Sequence, residues 1–494
     1  MKKIILFFLS CMLSFSLHAQ NHYDFVEPNA DGIRIYYNII DAANHYVEVT
    51  NNYNADSYKT QLTTLQLHKF TIPATVEHAG VTYQVKAIGN NGIGNSAPVV
   101  NGTYSYVDIE LPEGLTTIKK EAFYALYTLR KINFPSTLTS IEENAFGAAG
   151  SWGKEQTPSF YQTYDLSHTQ ITELNNVFRL QFSIEKIIYP ETLKILKGSS
   201  TGGAVSYDSP AFTSVTIPSA VEMVGVFEGQ NLNTIYMQPT VAPAFEQGAG
   251  GNLKIKNTVT IYVPIDATFN YETATGAATP WQAYKGQYRE QVKIGPHGYT
   301  SFYLENENFE VPAGCTAYII KTVTQQGSAN LGLTTEEAFP AGSVIPKQTG
   351  FILKGTAGST VTYRANLTGV TEVNVTGNLL VGTATEQEIS GAGYKYYLFG
   401  YGAKGQGFYH QTGRDGNSIK LPAHRAGLKL STSGFAPAKE LIFNFEDATT
   451  NGISTVEQTA EPRTDVIYDL QGRRVKNPVN GIYIVNGKKV VISK

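Results

Sequence analysis

The sequence predicts a mainly β protein in which a solenoid of 23-residue repeats is followed by an all-β sandwich. Three observations support this prediction. Prolines recur in the first half within a fixed apolar pattern, as expected for a stack of similar units. Short apolar or alternating runs separated by glycine, asparagine and proline fill the second half. The chain contains 46 glycines and 31 tyrosines, a composition that favours strands and turns over long helices.

The repeat is defined by an apolar residue three positions before a proline and another one position before it. The six prolines that fit are Pro73, Pro112, Pro135, Pro190, Pro218 and Pro264. Residues 111–123 and 134–146 match at an offset of 23 residues throughout, and both end in Ala-Phe. The gap from Pro218 to Pro264 is 46 residues, twice that period. A fixed period in the twenties is typical of a solenoid.

The spacing has a direct physical reading. Residues three and one before each proline share one face of a short strand, and the proline ends the strand because it has no amide hydrogen to donate. Apolar residues three and six positions later return to the core, and the Ala-Phe ring packs between coils. These motifs resemble the BspA-like leucine-rich repeat family, which implies a leucine-rich-repeat solenoid with exposed surfaces for binding.

The flanks of the repeats are similar to the end units of that family. Residues 31–50 resemble an N-terminal cap hairpin, and residues 71–89 resemble a first coil interrupted by a hairpin. Ile261–Pro264, followed by Tyr271, Trp281 and Tyr284, resembles a closing unit. The solenoid with both caps is therefore predicted at 24–294.

Glycine- and serine-rich insertions interrupt the repeat at about 147–165, 197–213 and 240–257, where surface loops are expected. The first insertion carries the candidate ligand contacts Trp152, Phe160, Tyr161 and Tyr164. Aromatic rings of this kind can contact a protein partner or a sugar. The alternative is that the rings pin the loop to its own domain.

Beyond Ile294–Gly298, which is predicted to be a linker, the sequence predicts a β-sandwich at 298–447. This part is similar to a β module found in Bacteroidetes surface proteins. A flexible linker is expected at 448–465. The tail at 466–494 predicts two short strand pairs with a hairpin turn at Asn486–Gly487. It resembles the end of a type IX secretion sorting domain but is shorter; a small structural tail is the alternative.

Residues 1–19 predict a signal peptide, because two lysines precede a mostly apolar stretch that ends near Ala19. A signal anchor and lipidation at Cys11 are the alternatives. No later segment reaches membrane-spanning length without charge or glycine. The expected location is the cell surface, the outer membrane or the extracellular space.

Charge and cysteine content narrow the classes of partner. The net charge is −3 and no basic block is present, so no nucleic-acid partner is expected. Without the signal peptide, Cys315 is the single cysteine, so packing rather than a disulfide must stabilise the fold. Its apolar neighbours predict a buried thiol.

No catalytic, metal or cofactor residue is predicted. Ser200 fits the G-x-S-x-G pattern, but that pattern requires a strand-to-helix elbow rather than a glycine-rich insertion. Gly400–Gly405 fits G-x-G-x-x-G, but it separates two strand-like runs, so a hairpin turn is expected. The histidines show no paired spacing suited to a metal ion.

Three functions remain open from the sequence. The first is adhesin-like binding of a protein, such as a host or matrix protein, which the family resemblance implies. The second is binding of a surface glycan as an accessory protein of the cell envelope, suggested by the tyrosines and the β-sandwich. The third is an unrecognised hydrolase. The sequence does not indicate an oligomeric state.

Overall fold

The computed structural model describes most of the 494-residue chain, which divides into two compact units, Met1–Phe443 and Asn444–Lys494. The described residues are 23–52, 57–94, 99–100, 103–150, 161–180, 182–198, 209–227, 229, 231–246, 252–325, 331–433, 438, 440–443, 467–468, 474–475, 481–485 and 488–492. The predicted signal peptide and the predicted linker at 448–465 lie outside them.

The first described strands pair antiparallel, in the segment where the sequence predicts a cap hairpin. They are β1 (Phe25–Pro28), β2 (Arg34–Asp41) and β3 (Tyr46–Thr50), and a helix follows at Tyr58–Thr64. The first coil contains β4 (Lys69–Thr71), β5 (Thr75–His78) and β6 (Val81–Ile88). Strands β5 and β6 form the predicted hairpin, and β6 pairs in parallel with β3. The cap therefore supplies a strand against which the parallel stack begins.

Short strands on two sides of each coil form the solenoid. In chain order they are β7 (Val99–Val100), β8 (Thr103–Tyr104), β9 (Val107–Glu110), β10 (Thr117–Ile118), β11 (Leu129–Ile132), β12 (Ser140–Ile141), β13 (Gln162–Asp165), β14 (Glu173–Asn175), β15 (Ile184–Ile188), β16 (Ile195–Lys197), β17 (Ser214–Ile217), β18 (Met223–Val224), β19 (Thr234–Met237), β20 (Ala244–Phe245), β21 (Thr260–Tyr262) and β22 (Tyr288–Lys293). A helix at Thr268–Glu272 and a 3₁₀ helix at Gly276–Tyr284 separate β21 from β22.

One side of the solenoid is a continuous sheet. Strands β6, β10, β12, β14, β16, β18 and β20 pair in parallel in that order, so each coil adds one strand beside the preceding one. On the other side, Ile109 pairs with Ile132, Tyr164 with Ile187, and Val215 with Ile235. The predicted strand before each proline is confirmed. The 46-residue gap between two prolines contains the expected intermediate coil, which carries β19.

Residues 161–180 form a coil that the proline pattern misses. Strands β13 and β14 belong to it, and β14 lies between β12 and β16 in the sheet. Ser167 stands after the strand, and its amide donates to the Asp165 side chain. The His168 ring nitrogen bonds the Phe134 carbonyl of the preceding coil. A polar turn thus replaces the proline at this position.

The Ala-Phe pairs place a row of stacked rings inside the solenoid. Phe146 stacks on Phe123 at a centroid distance of 5.0 Å and on Phe178 at 5.5 Å. Backbone bonds fix the same spacing, since the Phe123 amide donates to Ala145 O and the Phe146 amide donates to Val177 O. The predicted ring between coils is confirmed.

The turns around these rings repeat a backbone conformation that the sequence pattern does not reveal. Glu121, Asn144 and Asn176 have positive φ at corresponding places in three coils. Such left-handed residues are uncommon outside glycine, and asparagine accepts them best. The tight turn is therefore imposed by stacking rather than by a glycine.

The second part of the first unit is also built from strands. They are β23 (Tyr299–Phe302), β24 (Phe309–Glu310), β25 (Thr316–Gln325), β26 (Leu331–Pro340), β27 (Val344–Ile345), β28 (Phe351–Lys354), β29 (Thr360–Tyr363), β30 (Leu380–Thr383), β31 (Gln387–Ser390), β32 (Tyr394–Gly402), β33 (Gly405–Tyr409), β34 (Ser418–Leu421), β35 (Arg425–Ser431) and β36 (Glu440–Ile442). Nine of them form one sheet in the order β23-β28-β25-β26-β36-β33-β32-β35-β30. This arrangement is consistent with the predicted sandwich. Cys315 is buried here as a free thiol, as predicted.

The predicted linker at 294–298 is a tight turn. Ile294 is buried, and the Gly295 amide donates to Tyr299 O. Strand β22 pairs in parallel with β21 on one side and antiparallel with β29 on the other. The solenoid sheet therefore continues into the second part, and both parts lie in one compact unit. The sequence pattern did not reveal this pairing, because β29 lies about 70 residues further along the chain.

Buried carboxylates hold this junction together. Glu290 of β22 accepts hydrogen bonds from the Asp266, Ala267 and Thr268 amides and from the Tyr363 hydroxyl. The amides of the first turn of a helix have no acceptor within the helix, so Glu290 acts as the cap of the helix at Thr268–Glu272.

A second carboxyl group lies in the same place. Glu307 is 1% exposed, and neither of its oxygens has a donor in hydrogen-bonding geometry among the described residues. Burial, followed by the charge of Glu290, raises the pKa of Glu307 to about 11. Glu307 is therefore a neutral acid at physiological pH, with a proton to share with Glu290.

The second unit is a small antiparallel sheet. Its strands are β37 (Ile467–Tyr468), β38 (Arg474–Val475), β39 (Gly481–Val485) and β40 (Lys488–Ile492), in the order β38-β37-β39-β40. Val485 pairs with Lys488, which brackets the predicted turn at 486–487. The two strand pairs expected from the sequence are present, while the turn residues themselves lie outside the described part.

The ring row makes a stability prediction. Phe146→Ala removes a fully buried ring between two stacked neighbours, so the free energy of unfolding should fall by roughly 3–5 kcal/mol. Thermal unfolding of the purified chain measures this. Phe269→Ala, which removes a ring that is 39% exposed, is the matched control and should cost much less. Equal effects of the two changes would contradict the stacked-coil core.

The junction makes a pH prediction. The unfolded chain loses the Glu307 proton above its ordinary pKa of 4.5, whereas the folded chain keeps it until about 11. Stability should therefore fall as pH rises through this window. Glu307→Gln keeps the neutral form, so the melting temperature should fall less between pH 5 and pH 9 than in the parent. Glu191→Gln, at an exposed carboxylate, should leave the slope unchanged. A parent-like slope in Glu307→Gln would contradict the protonated pair.

Candidate functional site

Exposed tyrosines lie along one edge of the solenoid, and we call this set the tyrosine edge. Its members are Tyr106, Tyr124, Tyr127 and Tyr161, each between 36% and 44% exposed. Tyr106 directly precedes β9, and Tyr161 directly precedes β13. Thr128 separates Tyr127 from the start of β11. The edge therefore marks where three successive coils enter their strands.

Contacts between the coils bring these strand starts together. The Val107 amide, next to Tyr106, donates to Thr128 O, next to Tyr127. The Gln162 side chain, next to Tyr161, donates to Leu129 O at 2.7 Å. The backbone beneath the rings is therefore fixed, which lowers the entropy cost of using them for binding.

Tyr124 sits on the turn that leads into the same edge. A side-chain carbon built at Gly147, in the next coil, would lie 2.8 Å from the Tyr124 ring. Only glycine leaves room for this ring. Because Gly147 has no side chain, the Tyr124 ring can lie against its backbone, which fixes the position of this exposed ring.

The four residues predicted to contact a ligand differ in whether the structure describes them and in how exposed they are. Trp152 and Phe160 lie outside the described residues. Tyr161 is exposed and belongs to the tyrosine edge. The prediction for Tyr164 is wrong, because its ring is 1% exposed and packs against Phe146 and Phe178. Tyr164 is the inward residue of β13, in the coil that the proline pattern missed.

Sequence reasoning did not find Tyr106, Tyr124 or Tyr127. The exposed tyrosines do not occupy equivalent places in the 23-residue period, since Tyr106 directly precedes its strand whereas Thr128 separates Tyr127 from β11, and Tyr161 follows an insertion. Exposure is the property that unites the set, and a periodic search does not measure exposure.

A second group of aromatic rings lies on the outer face of β19 and β21. Tyr236 and Tyr262 pair in register and stack at a centroid distance of 4.9 Å with an interplanar angle of 12°. Tyr236 is 38% exposed. Arg289 is the next residue in this row. Because each ring already covers one face of the other, this pair has a structural role as well as an exposed side.

Charges of both signs share the outer face near the start of the solenoid. Arg130 donates to both oxygens of Asp108, at 2.8 and 2.6 Å, and Lys69 contacts Glu110 at 2.6 Å. Exposed pairs of this kind contribute little to stability but fix a charge pattern on the surface. This part of the face offers paired charges rather than a basic or acidic patch.

The structure can be compared with the two sequence matches that were judged not to be functional motifs. Gly400–Gly405 spans the β32–β33 turn, where Gly402 pairs with Gly405. The expected hairpin is confirmed. Ser200 lies outside the described residues. No cluster of three or more His, Cys, Asp or Glu side chains suited to a metal ion occurs in the part of the chain that the structure describes.

Comparison with known proteins identifies the repeat. Residues 99–224 match the BspA type leucine rich repeat region in six copies. This match covers the coils from β7 to β18, which are therefore similar to BspA-type leucine-rich repeats, and the fold is mainly β as predicted. No curated protein matches the sequence.

Several solved structures resemble part of this chain at low sequence identity. A leucine-rich repeat protein of T. pallidum is 15% identical, with 43% of this chain and 86% of that one covered, at a TM-score of 0.25. A leucine-rich repeat protein from Bacteroides ovatus is 15% identical, with 49% and 65% covered, at 0.25. A leucine rich cell surface protein from Faecalibacterium prausnitzii is 14% identical, with 53% and 97% covered, at 0.22. Superpositions this loose carry no argument about the site.

Among the described residues, no helix combines the length and the apolar character needed to cross a membrane.

The corrected position of Tyr164 makes a prediction. Its hydroxyl is buried and has no hydrogen-bond partner among the described residues, so Tyr164→Phe should stabilise the chain by about 1 kcal/mol. In the matched variant Tyr58→Phe, the lost hydroxyl donates to Thr50 O at 2.6 Å and accepts from the Tyr36 amide, so stability should fall. The melting temperatures of the two variants test this prediction. A loss of stability in Tyr164→Phe would contradict it, because it would show that the Tyr164 hydroxyl is hydrogen-bonded in the folded chain.

Proposed function

We propose that the chain is an exported binding protein of the cell surface or extracellular space that recognises a protein ligand through its solenoid, in the manner of an adhesin. The BspA-type repeat supports a role in protein interaction. Repeat scaffolds of this type expose broad surfaces on a rigid stack. The observation that carries the proposal is the tyrosine edge.

The tyrosine edge has the properties of a contact surface. Tyrosine is enriched where binding energy concentrates, because it adds a large apolar area and a hydroxyl at a small cost in conformational entropy. Here four such rings lie on turns that backbone bonds and Gly147 hold in place. Trp152 and Phe160, which precede Tyr161 in the sequence, remain predicted contacts.

Export is supported by the amino-terminal sequence. Lys2 and Lys3, the apolar stretch that follows and the small residue Ala19 have the pattern of a signal peptide. Fractionation of the producing cells tests this part. The chain should be recovered without residues 1–19 at the surface or in the medium, and retention of the full-length chain in the cytoplasm would reject it.

A binding experiment tests the ligand class. The mature chain is applied to a panel of immobilised matrix proteins, and the best binder is titrated against a Tyr124→Ala, Tyr127→Ala, Tyr161→Ala triple variant. Exposed rings add little to folding, so the melting temperature should change little. The affinity should fall by about tenfold or more, since aromatic contacts commonly dominate an interface.

Tyr236→Ala is the matched control, because it removes a tyrosine of similar exposure from the outer sheet face. Its affinity should equal that of the parent. Loss of binding in Tyr236→Ala alone would move the contact to the outer face. Absence of binding to every protein on the panel, with a folded sample, would reject the adhesin-like role.

A further inference from the structure

A cavity of about 430 Å³ lies at the turn that joins the solenoid to the second part, apart from the tyrosine edge. Residues 296–301 form one wall, and residues of β32, β33 and β35 form the other. A second cavity of about 480 Å³ adjoins it and shares Pro296, Thr300 and Arg425. Together they make a groove large enough for a small organic ligand.

Arg425 is the one arginine that lines both cavities. Its Nη1 donates to the Thr300 hydroxyl and to Ser301 O, the latter at 2.9 Å. No described carboxylate lies within ion-pair distance of it, and burial lowers the pKa of its guanidinium. A partly buried cation without a counterion is costly, and its remaining N–H groups can bind an anion.

The surroundings of Arg425 favour an anion as well. No described residue that lines either cavity is an aspartate or a glutamate. Lys293 adds an exposed cation at the far end of the groove. A ligand with a carboxylate would therefore meet two positive groups and no negative one, and the planar guanidinium matches a carboxylate with two parallel bonds.

Aromatic rings form the opposite part of the wall. The Tyr401 and His297 rings stack at a centroid distance of 3.8 Å with an angle of 13°, and Tyr401 is 61% exposed. Tyr299 and Phe399 lie deeper in the same lining. Such rings accept the C–H face of a sugar, while the Gln406 amide can bond hydroxyl groups.

We propose that this groove binds a carboxylated sugar, such as a uronic acid unit of an acidic polysaccharide, with the carboxylate on Arg425 and the sugar ring against Tyr401. A peptide carboxyl terminus fits less well. Peptides usually add as a strand to a free sheet edge, but Ser301 O on the edge strand β23 already accepts from Arg425 itself.

Calorimetry on the mature chain with trigalacturonic acid tests the site. The fully methyl-esterified trisaccharide keeps the sugar rings and removes the charge, so it should bind about tenfold more weakly or not at all. Arg425→Gln should lower the affinity for the acid by about tenfold while keeping an amide that can reach Ser301 O. Tyr401→Ala should weaken it about threefold to tenfold through the lost ring.

Tyr236→Ala serves as the control and should bind the acid as the parent does. Tyr401 is exposed at a hairpin, so its variant keeps the test informative even if Arg425→Gln fails to fold. Equal binding of acid and ester, no binding of the acid at millimolar concentration, or parent-like affinity in a folded Arg425→Gln would each overturn the proposal. Binding of a dipeptide with a free carboxyl terminus, but not of the sugar, would assign the groove to peptides.

Discussion

The structure depends on one constraint: the backbone polar groups and apolar side chains of each coil must be in register with those of the next coil. The bonds from the Phe123 amide to Ala145 O and from the Phe146 amide to Val177 O satisfy polar groups that would otherwise be buried without partners. The stacked rings repeat at the same spacing. A coil alone can satisfy neither requirement, so the stack gains its stability from interfaces between coils.

The first and last coils have a neighbouring coil on one side only, so another element must pair with their remaining backbone groups. At the first end, an antiparallel hairpin supplies β3 as the partner of β6. At the other end, β22 pairs with β29 on its second side, and the Glu290 carboxylate accepts from the amides of residues 266–268. The second part of the unit therefore closes the solenoid as well as extending it. The neutral Glu307 beside Glu290 is the cost of placing two carboxyl groups in one dry site.

The same constraint decides which surfaces can bind. Inward residues are committed to the stack, whereas residues at turns and strand starts are held in position without being covered. The tyrosine edge and the groove around Arg425 are both of this type. They differ in chemistry, since the edge consists of exposed neutral rings and the groove combines a cation with aromatic side chains. A protein surface suits the first, and a small anionic ligand suits the second.

The sequence by itself determined the features that depend on local spacing. The proline pattern, the 23-residue offset and the Ala-Phe pairs predicted the coils and the ring row, and strand and turn signals predicted the two hairpins at the amino-terminal end of the solenoid. Exposure at Tyr161 was expected from its place in a glycine- and serine-rich insertion. Each of these properties is set by residues close together in the chain.

Only the tertiary structure decided the rest, because contacts over long separations have no period. The coil at 161–180 lacks its proline, so the sequence did not indicate which residues of its strand face the core. The contacts of Tyr164 with Phe146 and Phe178 show that this side chain is buried. The join between β22 and β29, the bond from the Tyr363 hydroxyl to Glu290 and the contacts of Arg425 with β23 bring together residues up to 125 positions apart. Folding brings these groups together, and no spacing rule records that they will meet.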